Sequence, residues 1–379
     1  MQLSILEPLP RQISLLGDFD TGPQSIGAVR VLRISLTDRC NYRCVYCMPE
    51  DGVPWLPNDS LLSFDEIEQV VRAAIDVHGI RRFKLTGGEP TVRPRLLELV
   101  ARLSAIDGVE DLSLTTNGQL LAELALPLRR AGLHRLTISL DSLQPEKFRR
   151  ITRTGDLARV MAGLDAALAA GFESVKINCV TMRGTNDDEL ADFARLSIDR
   201  PLTVRFIEYM PLGDAQLLTE PAEALSRVSD CETGPAGGCG AQDRGAGALI
   251  PEPVVREIIE RELGPLEAIP RETEPGVGPA SVYRLAIGNP RGRIGFISAM
   301  SAPFCASCNR LRLTADGVLR SCLFDGGEVA IRSILRQPPT DPNLGTICDR
   351  LAAAMVECVR LKPTAHSNHG NQQMSRIGG

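Results

Sequence analysis

Leu32–Met48 reads LRISLTDRCNYRCVYCM. It leaves a short branched run, Val29–Leu36, that reads as a strand, and then carries Cys40, Cys44 and Cys47 in a C-x3-C-x2-C spacing. Three thiolates this close cannot fill a four-coordinate metal by themselves. A structural zinc site normally closes with four Cys or His ligands, and no His lies near this stretch. Cysteine thiolates are also the usual ligands of iron–sulfur clusters. A [4Fe-4S] cluster held by three of them leaves one iron open for a small molecule. The alternative is a set of buried or redox-active cysteines that happen to cluster.

Outward from that stretch, strand-like runs alternate with helix-like ones as far as residue 210. The further strands are Arg82–Thr86, Asp111–Thr115, Arg135–Leu140, Ser174–Val180 and Thr203–Glu208, each bounded by turn residues. Between them, Ser63-Phe64-Asp65-Glu66 reads as a capping box opening a helix that runs to Gly79. A second helix, Pro94–Ser104, is expected to start with its proline at the first helical position. A third, Asp156–Ala170, sets Leu157, Val160, Met161, Leu164 and Leu168 on one face and ends at Gly171. Six β-α repeats imply a parallel sheet of the α/β class. Six are too few for a closed eight-stranded barrel, so an incomplete (β/α)6 TIM-like barrel is expected. Polar turns follow successive strands: Gly87-Gly88-Glu89-Pro90, Thr115-Thr116-Asn117-Gly118, Ser139-Leu140-Asp141 and Glu208-Tyr209-Met210. Barrel active sites are built at that C-terminal rim.

The organisation expected along the chain is a lead-in over 1–28, the barrel core over 29–213 and a Gly/Ala/Pro-rich insertion over 214–250. A C-terminal module over 251–362 and a tail over 363–379 follow. The insertion holds Cys231 and Cys239, to which no role is assigned. In bulk the chain has 379 residues, 43% hydrophobic and 23% charged, with a net charge of −5. That excludes wholesale binding to nucleic acid or an acidic membrane surface. No apolar run reaches the roughly 18 residues a membrane helix needs. The N-terminus carries no signal-peptide pattern, so a cytoplasmic protein is expected. Eleven Cys, six of them in two tight groups, argue for metal ligation in a reducing compartment rather than a disulfide framework. The four His, His78, His134, His366 and His369, stand outside the rim motifs, which argues against a Ser-His or Cys-His hydrolase. Only four lysines occur: Lys84, Lys147, Lys176 and Lys362. Lys84 and Lys176 fall inside apolar strands, where an ammonium is costly unless an anion or partner meets it.

The second group is Cys305, Cys308 and Cys322 in FCASCNRLRLTADGVLRSCLF. Again there are three ligands and no near His. Asn309-Arg310-Leu311-Arg312 alternates, so both Arg side chains face one way if it is a strand. Two guanidiniums beside an open iron suit a polyanion.

With these motifs together, the chain resembles the GTP 3′,8-cyclases, a radical S-adenosylmethionine family that starts molybdenum-cofactor biosynthesis. The matching stretches are LRISLTDRCNYRCVYC, KLTGGEP, LTTNG, ISLDSL, VKINCV, RFIEYMP, the second cysteine segment and the terminal Gly378-Gly379. The insertion near 214–250 departs from the family pattern. The resemblance implies a barrel carrying one [4Fe-4S] cluster on Cys40, Cys44 and Cys47. A second, on Cys305, Cys308 and Cys322, sits in a C-terminal iron–sulfur extension. It implies S-adenosylmethionine contacts at Tyr46, Gly88, Ser139 and Met210. GTP contacts are implied at Arg33, Lys84, Thr115, Lys176, Arg310, Leu311 and Arg312. A catalytic tail of Arg376, Gly378 and Gly379 is implied to enter the site. The implied reaction starts with one-electron cleavage of S-adenosylmethionine. A 5′-deoxyadenosyl radical then takes hydrogen from C3′ of GTP, and C3′ closes on C8 to give (8S)-3′,8-cyclo-7,8-dihydroguanosine 5′-triphosphate. An outside electron donor and a downstream cyclic pyranopterin monophosphate synthase are the implied partners, and a homodimer is compatible with the sequence. The rival readings are a peptide-modifying radical enzyme with an auxiliary cluster, and a non-catalytic iron–sulfur or zinc regulator.

Overall fold

The computed structural model describes residues 22–212, 246–273, 276–324, 326–337, 345–366 and 377. Six strands form the middle of one sheet, where the incomplete barrel is expected: β1 (Val31–Ser35), β2 (Arg82–Thr86), β3 (Asp111–Thr116), β4 (Arg135–Ser139), β5 (Ser174–Thr181) and β6 (Leu202–Glu208). They pair in chain order and all in parallel. Helices α1 (Phe64–His78), α2 (Leu96–Ser104), α3 (Leu121–Arg130), α4 (Pro145–Thr152), α5 (Leu157–Ala169) and α6 (Leu190–Asp199) connect them. The strands bury alternate residues outward against these helices. Leu32 and Ile34, Phe83 and Leu85, Leu112 and Leu114, and Leu136 and Ile138 join one core. Each such side chain contributes roughly 1.5–3 kcal/mol on burial.

Local signals act as the sequence suggests. Ser63 Oγ accepts from Glu66 N and Glu66 Oε2 from Ser63 N, while Gly79 closes α1 in the left-handed conformation. Asp156 caps α5 through Ala158 N and Arg159 N. One boundary differs. Pro94 is not the first helical residue, because α2 begins at Leu96 behind Arg95, which has φ 62° and ψ 26°. Pro94 belongs to the preceding turn, where a fixed φ is equally useful. The Arg95 side chain pairs with Glu98 through two 2.7 Å hydrogen bonds.

The C-terminal segment widens the same sheet on both sides. After α7 (Glu252–Leu263) come β7 (Leu266–Ala268), β8 (Ser281–Leu285) and β9 (Arg293–Ile297). Then follow β10 (Arg310–Leu313), β11 (Val318–Arg320), β12 (Glu328–Ala330), α8 (Arg332–Arg336) and α9 (Ile347–Arg360). β9 pairs in parallel with β6, and β10 in parallel with β1. The order is therefore β12-β11-β10-β1-β2-β3-β4-β5-β6-β9-β8-β7. Eight parallel strands stand in a row, flanked by antiparallel strands at both ends. The row is strongly curled. Arg312 of β10, Thr137 of β4 and Arg205 of β6 line one cavity, which a flat sheet would forbid.

Glu208, at the end of β6, fastens the C-terminal segment to the barrel. Its carboxylate accepts from Met300 N at 2.8 Å, Ser301 N at 2.9 Å and Glu252 N at 3.3 Å. Gly292 lets β9 come alongside β6. Its N–H donates to Ser197 O at 2.7 Å, and a Cβ there would lie 2.2 Å from Leu202 O and 2.7 Å from Arg200 O. Those obstacles are backbone and cannot swing away. Gly292→Ala is therefore expected to destabilise the protein by about 1–3 kcal/mol, the usual cost of overpacking, read as a lower urea midpoint. An unchanged midpoint would show that β9 yields freely.

Candidate active site

The turn after β2 grips the backbone that leads into Cys40. Gly88 N donates to Thr37 O at 2.7 Å and Glu89 N to Arg39 O at 2.8 Å. A Cβ on Gly87 would sit 2.5 Å from Thr37 O, and one on Gly88 2.4 Å from Arg39 O. The close approach these glycines permit is thus to the cysteine loop itself. Glu89 extends the grip to the next strand. Its buried carboxylate accepts from Thr91 N (3.0 Å), Thr91 Oγ1 (2.6 Å), Thr116 Oγ1 (2.7 Å) and Asn117 N (2.7 Å). Burial still pushes its carboxyl above the ordinary value. Asn117 Nδ2 then donates to Asn41 Oδ1 at 2.7 Å. Two rim turns and the cysteine loop become one unit.

Cys40, Cys44 and Cys47 face the cavity together with Tyr46, Gly88, Ser139 and Met210. Tyr46 donates its hydroxyl to Asp141 Oδ2 at 2.6 Å, and Val180 N donates to Asp141 Oδ1 at 2.8 Å. Burial pushes the Asp141 carboxyl up to about 6. Burial also raises the Cys40 thiol to about 11, and Cys44 well above its ordinary value with added repulsion from Cys47 and Asp141.

Below this rim lies a layer of cations. Arg33, Lys84, Lys176, Arg205, Arg310 and Arg312 line the same cavity, whose volume is about 370 Å³. Register sets Arg33 beside both Lys84 and Arg312. Lys84 Nζ and Arg205 Nη2 share one acceptor, Thr137 Oγ1, at 3.2 and 3.3 Å. The carboxylates of the cavity are engaged elsewhere: Glu89 in the turns, Asp141 with Tyr46, and Asp111 in an ion pair with Arg135. The layer therefore carries excess positive charge. Burial first, then Arg205, Arg33 and Lys176, hold Lys84 well below its ordinary value. Burial, then Arg312, Arg310 and Arg205, lower Arg33. Arg205 and Arg312 fall to about 10, again chiefly through burial. Thr115 Oγ1, Asn178 Oδ1 and Arg205 Nε are buried there without a hydrogen-bond partner. Such orphaned atoms are uncommon in folded proteins. Together with six cationic side chains on one cavity they describe a seat for a polyanion.

The second cysteine set lines the opposite wall. Cys305 opens a short 3-10 turn, Cys308 follows it and Cys322 follows β11. Arg310 donates to Cys308 Sγ at 3.7 Å and lies over the Phe304 ring at 4.9 Å. Lys362 Nζ donates to Cys308 O at 3.1 Å and Arg310 O at 2.9 Å. Burial opposes ionisation of Cys308, but Arg310 and Lys362 outweigh it and hold the thiol below its ordinary value. Beside Cys322, Phe324 stacks on His366 with centroids 4.2 Å apart, and the His366 ring nitrogen Nε2 meets Ala299 O at 2.8 Å.

Of the residues expected from sequence, all six cluster cysteines line this one cavity, as do Tyr46, Gly88, Ser139, Met210, Arg33, Lys84, Thr115, Lys176, Arg310 and Arg312. Leu311 does not; it is buried in the apolar core on the other face of β10. Arg376, Gly378, Gly379, Cys231 and Cys239 lie outside the described residues; Ile377 is buried. Sequence reading missed Arg205, although the alternation of Val204, Arg205 and Phe206 carried it. Glu89 and Asp141 entered it only as members of rim turns, and Lys362 only as one of four lysines, none with a role of its own. His366 had no local signal, since only the path beyond α9 brings it to the cavity.

The donor sets fit iron–sulfur clusters. Among the described residues no three His, Cys, Asp or Glu side chains converge as ligands of a single metal ion. A cluster asks for something else: each thiolate binds its own iron, so three free thiols must face a common space. Both sets do so, and each has polar or cationic groups around it.

The family model described as the radical SAM superfamily matches residues 34–197, and that described as Molybdenum Cofactor Synthesis C matches residues 231–368. GTP 3′,8-cyclase of Pelotomaculum thermopropionicum is 44% identical over 355 residues, covering 93% of this chain and 98% of that protein. GTP 3′,8-cyclase of Geobacter sulfurreducens is 42% identical over 360 residues, covering 93% and 97%. The crystal structure of Streptococcus suis SuiB bound to precursor peptide SuiA superposes with a TM-score of 0.50 at 14% identity. It covers 88% of this chain and 66% of that one, a likeness of fold alone.

Inorganic tripolyphosphate is expected to raise the melting temperature of the metal-free protein, because it neutralises cations that repel one another. The lowered values of Lys84, Arg205 and Arg312 fix the pH dependence. Bound anion favours the charged forms, so affinity falls as pH rises towards the value of about 10 that Arg205 and Arg312 share, and binding there takes up protons. Calorimetry in buffers of different ionisation heat measures that uptake. A flat affinity with no uptake would remove these cations from the anion seat.

Proposed function

The chain belongs to the GTP 3′,8-cyclase family of radical S-adenosylmethionine enzymes, and we propose the division of labour among its residues that follows. It cyclises GTP to (8S)-3′,8-cyclo-7,8-dihydroguanosine 5′-triphosphate, the first step of molybdenum-cofactor biosynthesis, with two [4Fe-4S] clusters and S-adenosylmethionine. Cys40, Cys44 and Cys47 hold the first cluster, and Cys305, Cys308 and Cys322 the second. When bound, the first supplies an electron for reductive cleavage of S-adenosylmethionine, and the second offers an iron with an open position to the guanine ring.

The protein supplies position and charge. Tyr46, Gly88, Ser139 and Met210 shape the rim seat of S-adenosylmethionine. Arg33, Lys84, Lys176, Arg205, Arg310 and Arg312 take the triphosphate, and Thr115 orients it. The observation that carries this reading is the excess of inward-facing cations between two thiol trios in a single cavity. A triphosphate is among the few metabolite groups with enough charge to offset it. The tail residues Arg376, Gly378 and Gly379 are assigned to the same site, the glycines because they can thread a narrow passage. The electron donor is a separate reductant, the product passes to a cyclic pyranopterin monophosphate synthase, and the setting is the cytoplasm.

Anaerobic reconstitution is expected to load about eight iron per chain, from two four-iron clusters. Cys44→Ala should abolish formation of 5′-deoxyadenosine, whereas Cys308→Ala should retain part of it and lose ring closure. Stoichiometric zinc without iron would sink the assignment. Separately, Lys176→Ala removes one charge-assisted hydrogen bond worth roughly 1.5–3 kcal/mol, so GTP binding by equilibrium dialysis should weaken about tenfold or more. Unchanged affinity in a folded variant would take Lys176 out of the phosphate seat.

A further inference from the structure

The end of α4 and the turn that follows it, Ile151–Gly155, run beside the cysteine loop from Asn41 to Met48. Arg43 N donates to Thr152 O at 3.1 Å and Val45 N to Ile151 O at 2.9 Å. Thr154 Oγ1 donates to Asn41 O at 2.8 Å. The Arg153 guanidinium, through Nη1, donates to Arg43 O at 3.1 Å and Met48 O at 3.0 Å. Those two carbonyls bracket Cys44 and Cys47. Five hydrogen bonds from one short segment thus fix the backbone that carries all three thiols.

Arg153 reaches this position at a cost. Its φ is 61° and its ψ −38°, and Thr154 N donates to Thr152 O at 2.8 Å across it. That is a γ-turn of the rare, strained hand, adopted here by a residue with a Cβ. Among the described residues only Arg95 also takes a positive φ without being glycine, and Arg95 lies in the ordinary left-handed region. Strain of this kind persists where the surroundings over-determine it, and it gathers at functional sites. Nothing in the turn itself calls for it.

We propose that Arg153 is a positioning residue for the first cluster: its strained turn aims one guanidinium at both flanks of the Cys44–Cys47 step. It holds the three thiols at the separation a cluster needs. This rests on the assignment of Cys40, Cys44 and Cys47 as cluster ligands. Groups that orient metal ligands typically change metal affinity by 10–100-fold when removed.

The test uses the full chain with Cys305, Cys308 and Cys322 replaced by Ala, so that the first set alone binds iron. In this parent, Arg153→Gln and Arg153→Gly are reconstituted anaerobically and challenged with an iron chelator. Both variants should lose iron roughly tenfold faster, with a changed electron paramagnetic resonance signal on addition of S-adenosylmethionine. Glycine tolerates the turn without strain, which offsets the two lost hydrogen bonds, so the metal-free Arg153→Gly protein should melt close to its parent. Faster iron loss without lower stability is an outcome a merely structural arginine would not give. Iron loss at the parental rate in both variants would overturn the proposal. A parent that binds no iron would instead overturn the ligand assignment, and the positioning role with it.

Discussion

Six cationic side chains share the interior of one curled sheet, and their mutual repulsion is the constraint around which the molecule is arranged. Spread over β1, β2, β5, β6 and β10, they can be held together only if the strands that carry them are fixed from outside. The apolar faces of the same strands, packed on the surrounding helices, do that. Alternation along each strand makes both jobs possible at once: Leu32 and Ile34 anchor β1 while Arg33 between them faces the cavity. The apolar core therefore offsets an electrostatic cost that recedes once an anion arrives. Affinity for a polyanion and stability of the empty protein are opposite sides of one balance.

The two ends of the cavity are built by different means. Around the first cysteine set the loop is held mainly through its backbone: Gly88 and Glu89 take Thr37 and Arg39, and the end of α4 with the turn after it takes Asn41 to Met48. Around the second, buried cations take over, with Lys362 and Arg310 anchored on Cys308 and its neighbours. The thiol values follow suit, raised at Cys40 and Cys44 chiefly by burial and lowered at Cys308 by positive charge. One protein thus offers two thiol trios of unlike electrostatic surroundings to what would otherwise be identical clusters.

Much of this was legible in the sequence where the cause is local. β2 matches Arg82–Thr86 and the capping box at Ser63 stands, because strand alternation and helix caps act over a few residues. Cysteine spacing was legible because ligand chemistry tolerates little variation. Pro94 misled because a turn and a first helical turn want the same φ. The pairing of β10 on β1 was not legible, since a four-residue strand carries no label for a parallel partner far away in sequence. Glu89 and His366 escaped for the same reason. Their partners come from several turns, and only the folded chain brings them together.

The join between β1 and β10 also bears on how the chain comes to be folded. β1 leaves the ribosome well before its outer neighbour β10, which lies about 275 residues further along the chain. Until β10 arrives, the outer edge of β1 stands open, and pairings between such distant segments form slowly. An open edge invites pairing with other chains, which natural sheets discourage by inward-pointing charge. Arg33, in the middle of β1, is such a charge. A side chain that lines the cavity of the finished protein is thus also of the kind that keeps an open edge from pairing with other chains.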